Sequence, residues 1–245
     1  MPYNLIILSL YFVLITLSVI GYGLILNRFI GKRKSPTNFG YLGILGLFLL
    51  TIYSYASNLI IAHSVYHNTI VLIIGVIAFF VFIRNEINLQ KKQLKLLFFV
   101  FLFLFSGLLI HKNHDDFSYY HFPYTYYISQ HSLIFGAGQF GHGFRTPSSI
   151  FYLNSLFFLP FAKYFLLNIS YLLVLGFSNI ILINKILSNF KKKFSNNNNL
   201  FINFISLLSL LFINIFFYRL SEYGTDRSAQ ILLIILIIEL LSLNF

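Results

Sequence analysis

"YNLIILSLYFVLITLSVIGYGLIL", residues 3–26, runs without a single charged side chain, and its reading decides the fold. A helix rises about 1.5 Å per residue, so a stretch this long crosses a hydrocarbon core about 30 Å thick. A cleavable leader is the competing reading of an apolar N-terminus. No basic residue precedes the run, however, it is longer than a leader's apolar core, and Arg28, Lys32, Arg33 and Lys34 follow it. It reads as a retained span.

Outward from that run, comparable stretches recur at 40–61, 69–83, 94–110, 164–187, 200–218 and 229–243. Only 9% of residues are charged and 58% are hydrophobic, where soluble proteins average about 25% charged. The expected fold is therefore all-α: one multi-pass transmembrane helical bundle of about seven spans, occupying 1–245. The last run closes on "IIELLSLNF", residues 237–245, so the chain either stops at the inner face or is the N-terminal part of a longer protein. Glu239 within it is costly unless paired or interfacial. Cysteine is absent, which rules out disulfides and thiolate metal sites.

The net charge of +11 is a property of the loops. Arg28, Lys32, Arg33 and Lys34 follow the first run; Arg84, Lys91, Lys92 and Lys95 follow the third; Lys185, Lys191, Lys192 and Lys193 lie at or after the end of the fifth. Short cytoplasmic loops collect Lys and Arg, so these alternate loops face the cytoplasm. The N-terminus is then outside and the C-terminus at the cytoplasmic face, and a nucleic-acid partner is not expected. Orientation in turn sorts the remaining ionisable groups. His63, His67, His111, His114, His121, His131 and His142 all fall at the outer side, with Asp115, Asp116, Glu222 and Asp226.

The longest outward segment, 111–160, holds no full span and is too rich in Phe, Tyr, Ile and Leu for disorder. Phe117, Tyr120, Tyr124 and Ile128 recur at helical spacing, with Pro123 marking a helix start or a kink. Residues 149–159 are too few to span and suit a second juxtamembrane or re-entrant helix. The segment opens with "HDDFSYYHFPYTYY", residues 114–127. Asp115 and Asp116 are neighbouring carboxylates just beyond a span. They suit a general base, a divalent-cation site, or a solvated turn that caps a helix. The spacing of His111, His114 and His121 has a metal-ligand reading, as in membrane desaturases, but those boxes belong on the cytosolic side, so headgroup contact or hydrogen bonding within the loop is preferred.

"GAGQFGHG", residues 136–143, matches a dinucleotide fingerprint only in letters, because no strand precedes it. With Arg145 beyond it, it suits either a phosphate-facing loop or a plain hairpin. "RLSEYGTDRSAQ", residues 219–230, sets Arg219, Glu222, Asp226 and Arg227 between two spans, as a helix cap with ion pairs or as a phosphate contact.

"DFSYYH" (116–121) followed by "GAGQFGHGFRTPSS" (136–149) resembles a pattern in bacterial multi-pass proteins related to integral-membrane glycosyltransferases of the GT-C type. The resemblance covers mainly residues 115–160. It implies an outward acidic loop, juxtamembrane helices, and transfer of a sugar from a polyprenyl-phosphate carrier in envelope glycan synthesis. Asp116 would take the acceptor proton, and Asp115 would assist or bind a cation, the one cofactor considered. From their chemistry rather than the resemblance, Arg145, Arg219 and Arg227 would offset phosphate charge. His114, Tyr120, His121, His142, Glu222 and Asp226 complete the candidate substrate contacts. The expected partners are a lipid-linked sugar donor and membrane lipids. The alternative function is a transporter or a non-catalytic subunit of an envelope export or assembly system.

Overall fold

The computed structural model describes residues 2–30, 38–83, 91–109, 115–139, 141–145, 147–191, 197–216 and 226–243. Its α-helices in chain order are α1 (Pro2–Ile30), α2 (Phe39–Asn58), α3 (Val65–Ile83), α4 (Lys91–Leu109), α5 (Phe122–Gln130), α6 (Ser149–Ser155), α7 (Ile169–Lys191), α8 (Asn197–Phe216) and α9 (Asp226–Leu243). An isolated antiparallel bridge joins Leu159 to Lys163. The fold is an all-α bundle.

Six helices among the described residues are long and apolar enough to cross a membrane: Leu5–Ile30, Phe39–Asn58, Val65–Ile83, Lys91–Leu109, Tyr164–Phe190 and Asn199–Phe216. The seventh expected run corresponds to α9, which is as apolar as α4 and α7 but shorter than the other spans. Together these helices describe a membrane protein.

Glycine sets the closest helix contacts. A β-carbon added at Gly21 would come within 1.9 Å of the Gly75 carbonyl oxygen, and one added at Gly46 within 1.8 Å of the Val19 carbonyl oxygen. Small residues that let backbones touch are the usual basis of helix packing where lipid removes the hydrophobic contrast. Thus α1 lies against both α2 and α3.

The centre of the bundle is α7, with 94% of its apolar window enclosed. It is pinned to three neighbours by polar pairs: Asn184 exchanges amide hydrogen bonds with Gln93 of α4 (2.7 and 3.1 Å), and Asn179 with Asn214 of α8 (3.0 and 2.8 Å). Lys185 meets Glu239 of α9 at 2.5 Å and the Ser242 hydroxyl at 2.6 Å. Glu239 therefore has the partner that an intramembrane acid requires.

Connectivity divides the bundle into two ends. Arg28, which lies 4.0 Å over the Phe82 ring, Lys91, Lys92, Lys95 and Lys185 mark the lysine end. The opposite, histidine end is formed by the α2–α3 turn, the segment from Asp115 to the start of α7, and the N-terminus of α9. There α5 presents Tyr124, Thr125, Ile128 and Ser129 inward and Tyr126 and Gln130 outward. In contrast α6 is enclosed on all sides: Ile150 to Leu159 are all buried. Within the expected stretch 149–159, the helix covers Ser149–Ser155 and the chain turns after it.

Candidate functional site

The aspartate turn begins the site. After Asp115 and Asp116 the backbone makes one wide turn, Phe117–His121, in which the N–H of His121 donates to the Asp116 carbonyl (3.3 Å) and that of Phe122 to the Phe117 carbonyl. Pro123 explains the widening. It offers no N–H, and its ring crowds the carbonyl four residues back, so the turn before it opens to an i to i+5 pattern. Pro123 then sits in the first turn of α5, where a missing donor costs nothing. Asp115 is exposed and Asp116 half-buried at the mouth of this turn.

The glycine-rich loop closes over the same turn. A β-carbon at Gly143 would fall 2.0 Å from the Tyr120 β-carbon, so only glycine permits this approach. Phe144 places its ring edge-on to Tyr124 (5.2 Å between centroids) and Tyr127 (5.7 Å) of α5. Gly136, at φ +85°, supplies the left-handed turn that starts the loop. Arg145 Nε donates to the Gly138 carbonyl at 3.0 Å, tying the loop to itself while the guanidinium stays at the surface. The two motifs separated in sequence by Pro123 to Phe135 are thus one packed unit.

His121, expected among the substrate contacts, is buried in this turn. It is 2% exposed, with its ring 4.3 Å from that of Tyr120 and 5.2 Å from that of Phe151. Its ring points inward against Phe151, so His121 supports the turn from beneath. Tyr120 is half-buried between Gly143 and Phe151. Burial holds the Tyr124 phenol above its ordinary range, with Tyr152 adding to the shift. Arg227 lies in the first turn of α9 at the histidine end. Asp226 begins that helix and His142 begins the turn His142–Arg145, but their side chains are outside the described set. His114, Arg219 and Glu222 lie outside the described residues altogether. Among the described residues, no three His, Asp or Glu side chains come together in a metal-holding group.

A buried polar network beneath this unit was not foreseen from the sequence. His63, wholly enclosed, sits between two hydroxyls: Ser155 Oγ lies 2.6 Å from its Nδ1 and Ser57 Oγ 2.9 Å from its Nε2. Burial, reinforced by the neighbouring His67, pulls its pKa down to about 3. The imidazole is neutral, so one serine donates to the bare ring nitrogen while the other accepts from the ring N–H. The His67 ring stacks on it at 5.1 Å and meets the Tyr53 hydroxyl at 2.8 Å. Two asparagines complete the framework. Asn68 Nδ2 reaches the carbonyls of His63, Ser155 and Phe158, and Asn58 Nδ2 those of Ile128 and His131. The network anchors α5 and α6 to the α2–α3 turn. The signal for it was present in "SNLIIAHSVYHN", residues 57–68, where Ser57, Asn58, His63, Ser64, His67 and Asn68 interrupt two apolar runs.

A model of the family described as a domain of unknown function, DUF8201, matches residues 5–244, and the chain belongs to that family. No curated protein and no solved structure matches the chain.

Proposed function

For a DUF8201 chain, whose family description assigns no activity, we propose a membrane glycosyltransferase of the GT-C type. It moves a sugar from a polyprenyl-phosphate carrier to a hydroxyl acceptor at the outer face of a bacterial inner membrane, in envelope glycan synthesis. The observation that carries this reading is the seating of Gly143 on Tyr120. It makes one unit of the aspartate turn and the glycine-rich loop with Arg145.

In this reading Asp116 accepts the acceptor's hydroxyl proton as the oxygen attacks the anomeric carbon. The bond from that carbon to the phosphate oxygen breaks, and its electron pair leaves with the lipid phosphate. Arg145 and Arg227, which lie at the same end of the bundle, offset the charge gathering on that phosphate. Asp115, one residue earlier and exposed, steers the acceptor or holds a cation. Orientation follows the charge pattern: the lysine end faces the cytoplasm.

A transporter is the rival. Transporters keep polar groups near the midplane available for cargo. Here Glu239 is the one acidic side chain inside the described spans, and it is closed on Lys185 toward the lysine end rather than left open at the midplane, which favours the enzyme.

The test is native mass spectrometry of protein purified in mild detergent, wild type beside Asp116→Asn, with a transfer assay on any lipid-linked sugar that co-purifies. We expect a bound carrier in both forms and turnover only in the wild type, reduced at least about 100-fold by the substitution. Equal turnover in Asp116→Asn, or well-folded protein with no carrier in either form, sinks the assignment.

A further inference from the structure

Immediately before α7 the chain makes a tight hairpin, "LPFAK", residues 159–163, that departs from ordinary backbone geometry twice. Phe161 lies at φ +60° and Lys163 at φ +43°, a region that β-carbons make costly and that glycine normally occupies. Strain of this kind persists only where the surroundings over-determine it, and here they do. Lys163 N donates to the Leu159 carbonyl at 2.7 Å and Ala162 N to the Pro160 carbonyl at 2.6 Å. Leu159, Ala162, Leu166 and Leu167 are buried on either side.

What the strain achieves is display. The Phe161 ring is 77% exposed at the tip, Lys163 is exposed beside it, and Tyr164 and Phe165 continue the aromatic surface. The apolar stretch that leads into α7 begins at Tyr164, so a bilayer crossed by that stretch would set Lys163 near its boundary with water. Aromatic rings at this depth are amphipathic anchors, and a lysine there pairs with anionic headgroups. Lys163 also runs against the charge pattern of the chain, since its cations otherwise gather mainly at the lysine end.

We propose that the 159–163 hairpin is a binding site for an anionic glycerophospholipid, with Lys163 on the headgroup phosphate and Phe161 and Phe165 against its acyl chains. Charge complementarity, the rigid anchoring of the hairpin and its depth select this occupant over a protein partner. The bound lipid is continuous with the aspartate turn: Phe117 and Phe122 pack on Phe158 and Leu167 beside the hairpin, and the Phe122 ring stands edge-on to Tyr164 at 6.1 Å. This site depends on no assumption about sugar transfer.

The experiment is native mass spectrometry of the full chain, delipidated in neutral detergent and titrated with phosphatidylglycerol or phosphatidylcholine. Three forms are compared: wild type, Lys163→Gln and Phe161→Gly. Glycine relieves the φ strain at 161, so the last variant removes the ring without threatening the fold. We expect one tightly held phosphatidylglycerol in the wild type, about fivefold weaker retention in Lys163→Gln, and weaker retention in Phe161→Gly. Phosphatidylcholine should bind weakly and equally to wild type and Lys163→Gln. Lys92→Gln, at the lysine end, controls for general charge and should retain the lipid at wild-type strength. Equal phosphatidylglycerol retention in wild type and Lys163→Gln, or equal loss in Lys163→Gln and Lys92→Gln, overturns the site.

Discussion

At the scale of single residues, His63 shows how a titratable side chain becomes structural. Its ring is held, fully buried, between two serine hydroxyls, and its folded pKa is about 3 against about 6.5 in the unfolded chain. Between those values the unfolded chain takes up a proton that the folded chain refuses, so acid favours unfolding. The contribution of His63 is complete above about pH 6.5 and diminishes as the pH falls toward 3, by up to about 1.4 kcal/mol per unit. Thermal unfolding in detergent between about pH 7.5 and 4.5 should therefore show a midpoint that drops toward acid. In His63→Gln the midpoint should be lower at neutral pH and its acid slope shallower. Identical slopes in the two proteins would assign the pH dependence elsewhere. His67, stacked on the same ring and half-buried, is held by the Tyr53 hydroxyl at Nε2 and by the Asn68 amide oxygen at Nδ1.

At the scale of elements, the polar pairs of α7 do what apolar packing cannot do between helices in lipid: they fix rotation and register. Asn179 and Asn214 each donate to the other's carbonyl oxygen, so removing one leaves the other with unsatisfied groups, whereas removing both leaves none. We expect Asn179→Leu and Asn214→Leu each to lower thermal stability, and the double substitution to cost less than the sum. The coupling should be about 0.6 to 1.7 kcal/mol, as for other polar contacts between membrane helices. Strict additivity in the cycle would mean that the amides do not act as a pair. The spans were legible in the sequence because a bilayer sets one length and one composition. Pro123 likewise announced the start of α5, since a missing N–H acts within one turn. What stayed hidden depends on partners far along the chain. Asn58 meets His131 and Asn68 meets Phe158, and Gly143 seats against Tyr120, at separations that carry no periodic signal. The inward turn of His121 was hidden for a local reason, because a wide turn shifts the phase on which helical spacing relies.

At the scale of the whole molecule, the two ends of the bundle differ in chemistry, and the proposed function stands or falls with which end faces outward. Arg28, Lys91, Lys92, Lys95 and Lys185 gather at one end, while Asp115, Asp116, His63, His67 and His131 gather at the other. A carrier-linked sugar is presented outside, whereas Lys and Arg are retained inside, so the two arguments call for the same orientation and are tested together. The chain has no cysteine, so a single introduced thiol is the only one present. Ser118 is exposed on the aspartate turn and Lys92 on the first turn of α4, and neither contributes a side-chain contact described above. In intact cells or right-side-out vesicles, a membrane-impermeant maleimide should label Ser118→Cys, and Lys92→Cys only after the membrane is permeabilised. The reverse pattern would put Asp116, the glycine-rich loop and the hairpin at Lys163 on the cytoplasmic side. Sugar transfer at the outer face would then be ruled out, although lipid binding at the hairpin would survive, because anionic headgroups are available in either leaflet.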